Sequence, residues 1–158
     1  MLVSKDPKII QRPEMLYIGM TISHEVTLPD NTAVPELWSV FLQRSSEIEF
    51  VSGPYVGIAS DVYEDETADY TAAIQVTNTD RVPHGMEATF TEAGQYAEFT
   101  HRGPLSDLYE SMHYIHDEWL PRSDYTGNCG SQIEIYPEDT DINDANFEMK
   151  ILVPLIRE

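Results

Sequence analysis

The sequence predicts an α+β fold made of two β-α-β-β units that share one antiparallel sheet with two helices against it. Three observations lead there. Each half of the chain has one run of apolar residues at helical spacing. Each half has short β-prone runs around that helix. Both halves follow the same order of strand, helix, strand, acidic loop, strand. The 158 residues suit a single domain spanning 1–158, with pseudo-repeats over about 9–80 and 84–156. A period of roughly 80 residues is too long for a solenoid unit.

In the first half, Met15 to Ile22 is apolar and β-prone, and a turn follows at Pro29–Asn31. A helical pattern runs from Val34 to Ile48, with Pro35 in its first turn and Leu37, Trp38, Phe41 and Leu42 along one face. Gly53–Pro54 marks a turn. Tyr55 to Tyr63 and Tyr70 to Thr77 are expected strands, joined by a polar loop. Pro83–Gly85 separates the halves.

The second half repeats the series. Glu87 to Glu92 and Gln95 to His101 are strand-like, with Gly94 between them. Gly103–Pro104 introduces a helix from Leu105 to Trp119, with a stripe of Leu105, Leu108, Tyr109, Met112, Ile115 and Trp119. Pro121 is expected to end it. Gln132 to Tyr136 and Phe147 to Val153 are the last strands. Asp61 stands two residues before Tyr63 in one half, and Glu134 two before Tyr136 in the other. Two helices related by a two-fold axis on one sheet leave a central groove between them, the usual place for a small-molecule site.

Composition excludes several classes. Hydrophobic residues make up 41% of the chain, enough for a core, so wholesale disorder is excluded. Nine Lys and Arg against 28 Asp and Glu give a formal charge of −19. Such a chain repels nucleic-acid phosphates and anionic lipid. The charge points to cationic small molecules or a basic protein partner, with no direct nucleic-acid or membrane binding. One cysteine, Cys129, rules out an internal disulfide framework and a Cys-rich zinc site. Met1 to Pro13 contains no apolar signal core, and Ile151 to Ile156 is too short to span a bilayer. A soluble, cytoplasmic protein without a cofactor is expected.

The candidate chemistry is narrow. The chain has no Gly-rich phosphate loop and no Gly-x-Ser-x-Gly elbow. Cys129 sits among glycines with no base assigned to it, which suits a loop cysteine. His113 and His116 lie at the border of the helical stripe, where a polar boundary explains them as well as a metal would. The acidic runs at Asp61–Asp69 and Glu138–Glu148 lack EF-hand spacing and suit solvated loops.

Glu134 is different, because it lies between Ile133 and Ile135 in a strand. Period-2 alternation puts Glu134 and Tyr136 on one face and the two isoleucines on the other. If both faces are covered, Glu134 is a buried carboxylate, costly without a partner and a candidate receptor for a cation. Trp38 and Trp119 are aromatic candidates for the walls, since a ring face attracts a cation by about 0.5–2 kcal/mol.

The run Gly94-Gln95-Tyr96-Ala97-Glu98-Phe99-Thr100-His101-Arg102-Gly103-Pro104, then Glu118-Trp119-Leu120-Pro121, then Ile133-Glu134-Ile135-Tyr136, resembles the GyrI-like family. That family is a small-molecule-binding domain, also found as the effector domain of AraC-type and MerR-type regulators. The resemblance is strong over 86–154. Over 15–77 it is weaker and includes Tyr55-Val56-Gly57-Ile58 and the Asp69-Tyr70 hairpin return. It implies the duplicated fold with its groove, and a glutamate that meets a cation while aromatics stack on it. Carried over, the glutamate is Glu134, the strand aromatic Tyr136 and the helix-end tryptophan Trp119. Asp61 and Tyr63 join the candidate ligand-binding residues through the internal repeat alone, and Trp38 through its helix face. Ile133 departs from the family pattern, where an aromatic is common. The resemblance is to a stand-alone, cassette-encoded member, and residues 1–14 are too few for a helix-turn-helix.

The leading function is therefore a binding module for amphipathic, mainly cationic organic molecules. Two alternatives come from other classes. One is a GyrI-like hydrolase of strained toxins, with Glu134 as general base on water. The other is an acidic inhibitory protein that binds a basic partner such as gyrase.

Overall fold

The computed structural model describes residues 3, 6–25, 33–60, 67–126, 132–137 and 144–157. The first half contributes β1 (Lys8–Arg12), β2 (Met15–Glu25), α1 (Ala33–Arg44), β3 (Val51–Ala59) and β4 (Thr67–Val76). The second contributes β5 (Glu87–Thr91), β6 (Gly94–Arg102), a second helix over 105–122, β7 (Tyr125–Thr126), β8 (Gln132–Ile135), β9 (Glu148–Pro154) and β10 (Ile156–Arg157). β7 and β10 pair with each other. The other eight strands form one sheet in the order β1-β6-β9-β8-β3-β4-β2-β5, antiparallel throughout.

That order reads the same from both ends. β1, β6, β9 and β8 correspond to β5, β2, β4 and β3, with the two-fold relation passing between β8 and β3. The opening strand of each half pairs with the other half: β1 lies on β6 and β5 lies on β2. β7 and β10 are additional to the expected strands, and so is β1. It is a five-residue run between Pro7 and Pro13, and its register, Lys8↔Glu98 to Arg12↔Gly94, is set by a partner far along the chain.

The registers decide which side chains share a face. Phe99 pairs with Ile151, Ile151 with Glu134, Glu134 with Gly57, Gly57 with Ala72 and Ala72 with Met20. Both helices pack on this face. α1 places Leu37 and Phe41 on Ile18, Tyr70, Ala72 and Ile74. The second helix places Ile115, Leu108, Met112 and Trp119 on Ala97, Phe99, Ile151 and Val153. The opposite face carries Tyr17, Val56, Ile133 and Leu152, all essentially buried, and among the described residues no helix packs on them. The sheet covers that face by curling on itself. Arg12 on one edge strand reaches Thr91 on the other, donating from Nη1 to its Oγ1 at 3.3 Å and to the Tyr17 hydroxyl at 3.1 Å.

The second helix corrects one expectation, because Pro121 does not end it. A 3-10 turn (Leu105–Asp107) leads into α2 (Leu108–His113), then a π-helical turn (Tyr114–Trp119), and α3 (Leu120–Arg122) carries Pro121. A proline ring clashes with the carbonyl four residues earlier in an α-helix. Widening to π geometry ahead of Pro121 relieves that clash and lets the helix run on. At the helix entry, buried His101 accepts from Ser111 through Nδ1 (2.6 Å). Its Nε2 faces the carbonyls of Gly103 and Pro104 at 3.2 and 3.3 Å, so that nitrogen carries the proton. Gly103 takes a φ of 132°, open to glycine, which lets the chain fold back toward the helix. Among the described residues no helix is long and apolar enough to cross a membrane.

Candidate functional site

Glu134 sits on β8 next to the two-fold relation, on the helix-bearing face, with 6% of its surface exposed. Gly57 lies directly opposite on β3. A Cβ there would come within 2.7 Å of Glu134 Oε1 and would overlap the Tyr70 hydroxyl. The bare backbone at Gly57 lets Tyr70 reach over from β4 to the carboxylate.

Two tyrosines donate to the same oxygen. The hydroxyls of Tyr70 and Tyr136 each lie 2.9 Å from Glu134 Oε1. Trp38 Nε1 donates to the Tyr70 hydroxyl at 3.0 Å. An indole N–H only donates, so Tyr70 accepts from Trp38 and passes its own proton toward Glu134. Burial pushes the Glu134 carboxyl above its ordinary pKa, and the two tyrosine hydrogen bonds oppose that shift. Burial, and then the nearby Glu134 charge, drive the Tyr70 and Tyr136 hydroxyls well above the ordinary tyrosine value. Among the described residues no Lys or Arg forms an ion pair with Glu134.

In front of this network lies a cavity of about 480 Å³ between α1 and the start of the second helix. Trp38, Tyr55 and Tyr136 form its aromatic side, and Val34, Leu42, Leu105 and Phe147 its aliphatic and aromatic remainder. The Trp38 ring stands edge-on to Tyr136 and Tyr55, with centroids 5.2 and 6.3 Å away. Tyr55 is held in place by its hydroxyl, which donates to Ser45 Oγ at 2.9 Å while Ser45 donates to the Leu42 carbonyl. Exposed Pro35, Ser39 and Pro137 ring the mouth.

The structure brings Glu134, Tyr136 and Trp38 together. It does not bring Trp119 to the cavity wall. That ring packs edge-on against Phe99, with centroids 5.1 Å apart, because its place on the stripe with Ile115 turns it onto β6 and β9. Asp61 and Tyr63 lie outside the described residues, as do Cys129, the runs 61–66 and 138–143, and the side chain of Tyr109. His113 pairs with Asp117 at 2.6 Å and His116 meets Gln132 at 2.7 Å, both in exposed positions. Among the described residues no three His, Cys, Asp or Glu side chains group as metal ligands. Tyr70, Tyr55 and Gly57 adjoin Glu134 or the cavity and are not among the candidate site residues that the sequence points to. The signal for them was Gly57 between Val56 and Ile58 in the run Tyr55-Val56-Gly57-Ile58, since a glycine inside a strand marks close approach of another group.

Residues 5–156 match the model of the GyrI-like small molecule binding domain. The chain belongs to this family. It is 28% identical over 151 residues to the transcriptional regulator BrlR of Pseudomonas aeruginosa, an alignment that covers 94% of this chain and 54% of that protein. The chain thus spans about half the length of that relative. The fold is similar to that of SAV2435 bound to tetraphenylphosphonium, with a TM-score of 0.78, 14% identity, and 96% and 94% of the two chains covered. It is also similar to the EcmrR C-terminal domain, with a TM-score of 0.77, 17% identity and full coverage of both chains.

Proposed function

We propose that this GyrI-like domain binds amphipathic, mainly cationic organic molecules in the cavity beside Glu134. The observation that carries the reading is the carboxylate itself. It is buried at the sheet centre, its described partners are neutral hydroxyls, and an aromatic cavity adjoins it. A cation there gains an opposite charge in a poorly solvated place and the faces of Trp38, Tyr55 and Tyr136. The charge of −19 draws cations toward the surface from solution. The tetraphenylphosphonium bound to SAV2435 on the same fold supports this ligand class, and the transcriptional regulator BrlR supports a role as an effector-sensing module.

The test is calorimetric titration with tetraphenylphosphonium and with triphenylphosphine oxide, a neutral molecule of related shape. Glu134→Gln is expected to weaken the phosphonium by about 1.5–3 kcal/mol, the scale of a contact to a charged group, and to leave the neutral probe nearly unaffected. Trp38→Ala is expected to weaken both, because ring area is lost as well as the cation–π attraction. Equal losses for both probes in Glu134→Gln would make the carboxylate structural and overturn the reading.

A further inference from the structure

The two hydroxyls on Glu134 Oε1 are chemically alike and structurally different. The Tyr70 side chain is 5% exposed and lies behind the cavity wall. Its hydroxyl is held from both sides, accepting from Trp38 Nε1 and donating to Glu134, so displacing it breaks two hydrogen bonds. Tyr136 is half-buried and forms part of the wall, and its hydroxyl spans from the cavity side to the same carboxylate oxygen. Glu134 is not among the residues that line the cavity as described. The space in front of the network is therefore walled by rings and aliphatic side chains, with the charge one layer behind.

We propose that the Tyr136 hydroxyl is a latch that sets the selectivity of the cavity between neutral and cationic ligands. Closed on Glu134, it leaves an apolar space that admits a neutral aromatic or aliphatic molecule without rearrangement. A cation on the same wall gains the ring faces alone until it takes the place of the Tyr136 hydroxyl beside the carboxylate. Each cationic ligand then exchanges one neutral hydrogen bond of Glu134 for an opposite charge, and its affinity is lowered by what that bond is worth. A neutral ligand leaves the bond intact. Tyr70, anchored by Trp38, stays on the carboxylate in both cases and keeps it oriented. This proposal rests on the cavity being the ligand site, as read above.

The experiment titrates wild type, Tyr136→Phe, Tyr70→Phe and Glu134→Gln with tetraphenylphosphonium and with triphenylphosphine oxide. It is done over a series of rising pH values and compared where phosphonium binding no longer changes with pH, because burial raises the Glu134 carboxyl and loss of a tyrosine donor raises it further. Tyr136→Phe keeps the ring in the wall and removes the latch. It is expected to bind the phosphonium about 3–10-fold more tightly than wild type, the factor that one net hydrogen bond represents, with the neutral probe unchanged. Tyr70→Phe removes a donor from the same oxygen while the Tyr136 hydroxyl still meets Glu134 directly, so a clearly smaller gain than in Tyr136→Phe is expected. Three results overturn the latch. Phosphonium binding in Tyr136→Phe stays equal or weakens, both probes gain alike, or Tyr70→Phe gains as much as Tyr136→Phe. The underlying site reading fails separately, when Glu134→Gln leaves phosphonium binding at the wild-type value. Circular dichroism of each variant checks that the sheet is intact before titration.

Discussion

The two halves of the sheet share one strand plan and differ in chemistry where they meet. On the β8 side of the two-fold relation stands Glu134, and directly across from it on β3 stands Gly57. The first half supplies Trp38, Tyr55 and Tyr70, while the second supplies Glu134, Tyr136, Leu105 and Phe147. A symmetric pair of carboxylates at this point would place two like charges in one poorly solvated site, and one of them would hold its proton. The duplication therefore makes the groove, and the departure from it makes a site with one charge. The helices differ in the same way. α1 puts its tryptophan into the hydrogen-bond network, while the second helix, widened by its π turn, turns its tryptophan into the core.

The most damaging way to break this asymmetry is to fill the space at Gly57. In Gly57→Ala the new methyl would lie 2.7 Å from both Glu134 Oε1 and Tyr70 Cζ, groups that buried packing holds in place. Overpacking of this kind costs about 1–3 kcal/mol. Denaturant unfolding is expected to show that loss, and calorimetry to show no binding of tetraphenylphosphonium. An alanine variant with wild-type stability and binding would mean that the glycine is not needed for the site.

A second substitution asks whether the halves are separable. Ser111→Ala removes the hydroxyl that meets His101 Nδ1 inside the second half, leaving a buried nitrogen without its partner. The expected loss is about 1–3 kcal/mol of stability with phosphonium affinity unchanged. A fall in affinity would show that the helix entry and the cavity act as one unit. Trp38→Phe is gentler, since it keeps a ring in the wall and removes the N–H donated to Tyr70. It should lower stability by about 0.5–1.5 kcal/mol, read from the same unfolding curves. A variant as stable as wild type would show that the Trp38 bond adds nothing to the fold.

Much of this fold was readable from local pattern. Helical spacing located both helices, β-prone runs located the main-sheet strands from Met15 onward but not the two-residue β7 and β10, and alternation set Glu134 apart from its isoleucine neighbours. The unread parts depend on partners distant in sequence. β1 is five residues whose strand character comes from β6, 82 to 90 positions away. The donors to Glu134 come from β4 and from just beyond β8, and only the register across β3 shows that Tyr70 faces it. Trp119 fits the family motif and the stripe equally well, and only the packing shows its ring against Phe99. Pro121 was read by its usual effect on α-helices, and the π turn that accommodates it has no simple sequence mark.

The smallest expected effect is a change of slope, and its sign separates the two forces acting on Glu134. Burial raises the folded-state pKa of this carboxyl above its ordinary value of 4.5, while the hydroxyls of Tyr70 and Tyr136 pull it down. With burial the larger, the folded protein keeps the Glu134 proton in a pH window where the unfolded chain has already released it. There the unfolded state binds fewer protons, so stability falls as pH rises from the ordinary carboxylate value through the folded one, and then levels off. Glu134→Gln has no proton to lose at this position and still offers both tyrosines an acceptor oxygen. The remaining carboxylates titrate in both proteins, so they largely cancel when the two stability curves are subtracted. Wild type minus Glu134→Gln, measured by urea unfolding across that window, should therefore decline with rising pH. A difference that rises with pH would mean that the two tyrosine hydroxyls outweigh burial, and that the resting site already holds a full negative charge within the acidic range.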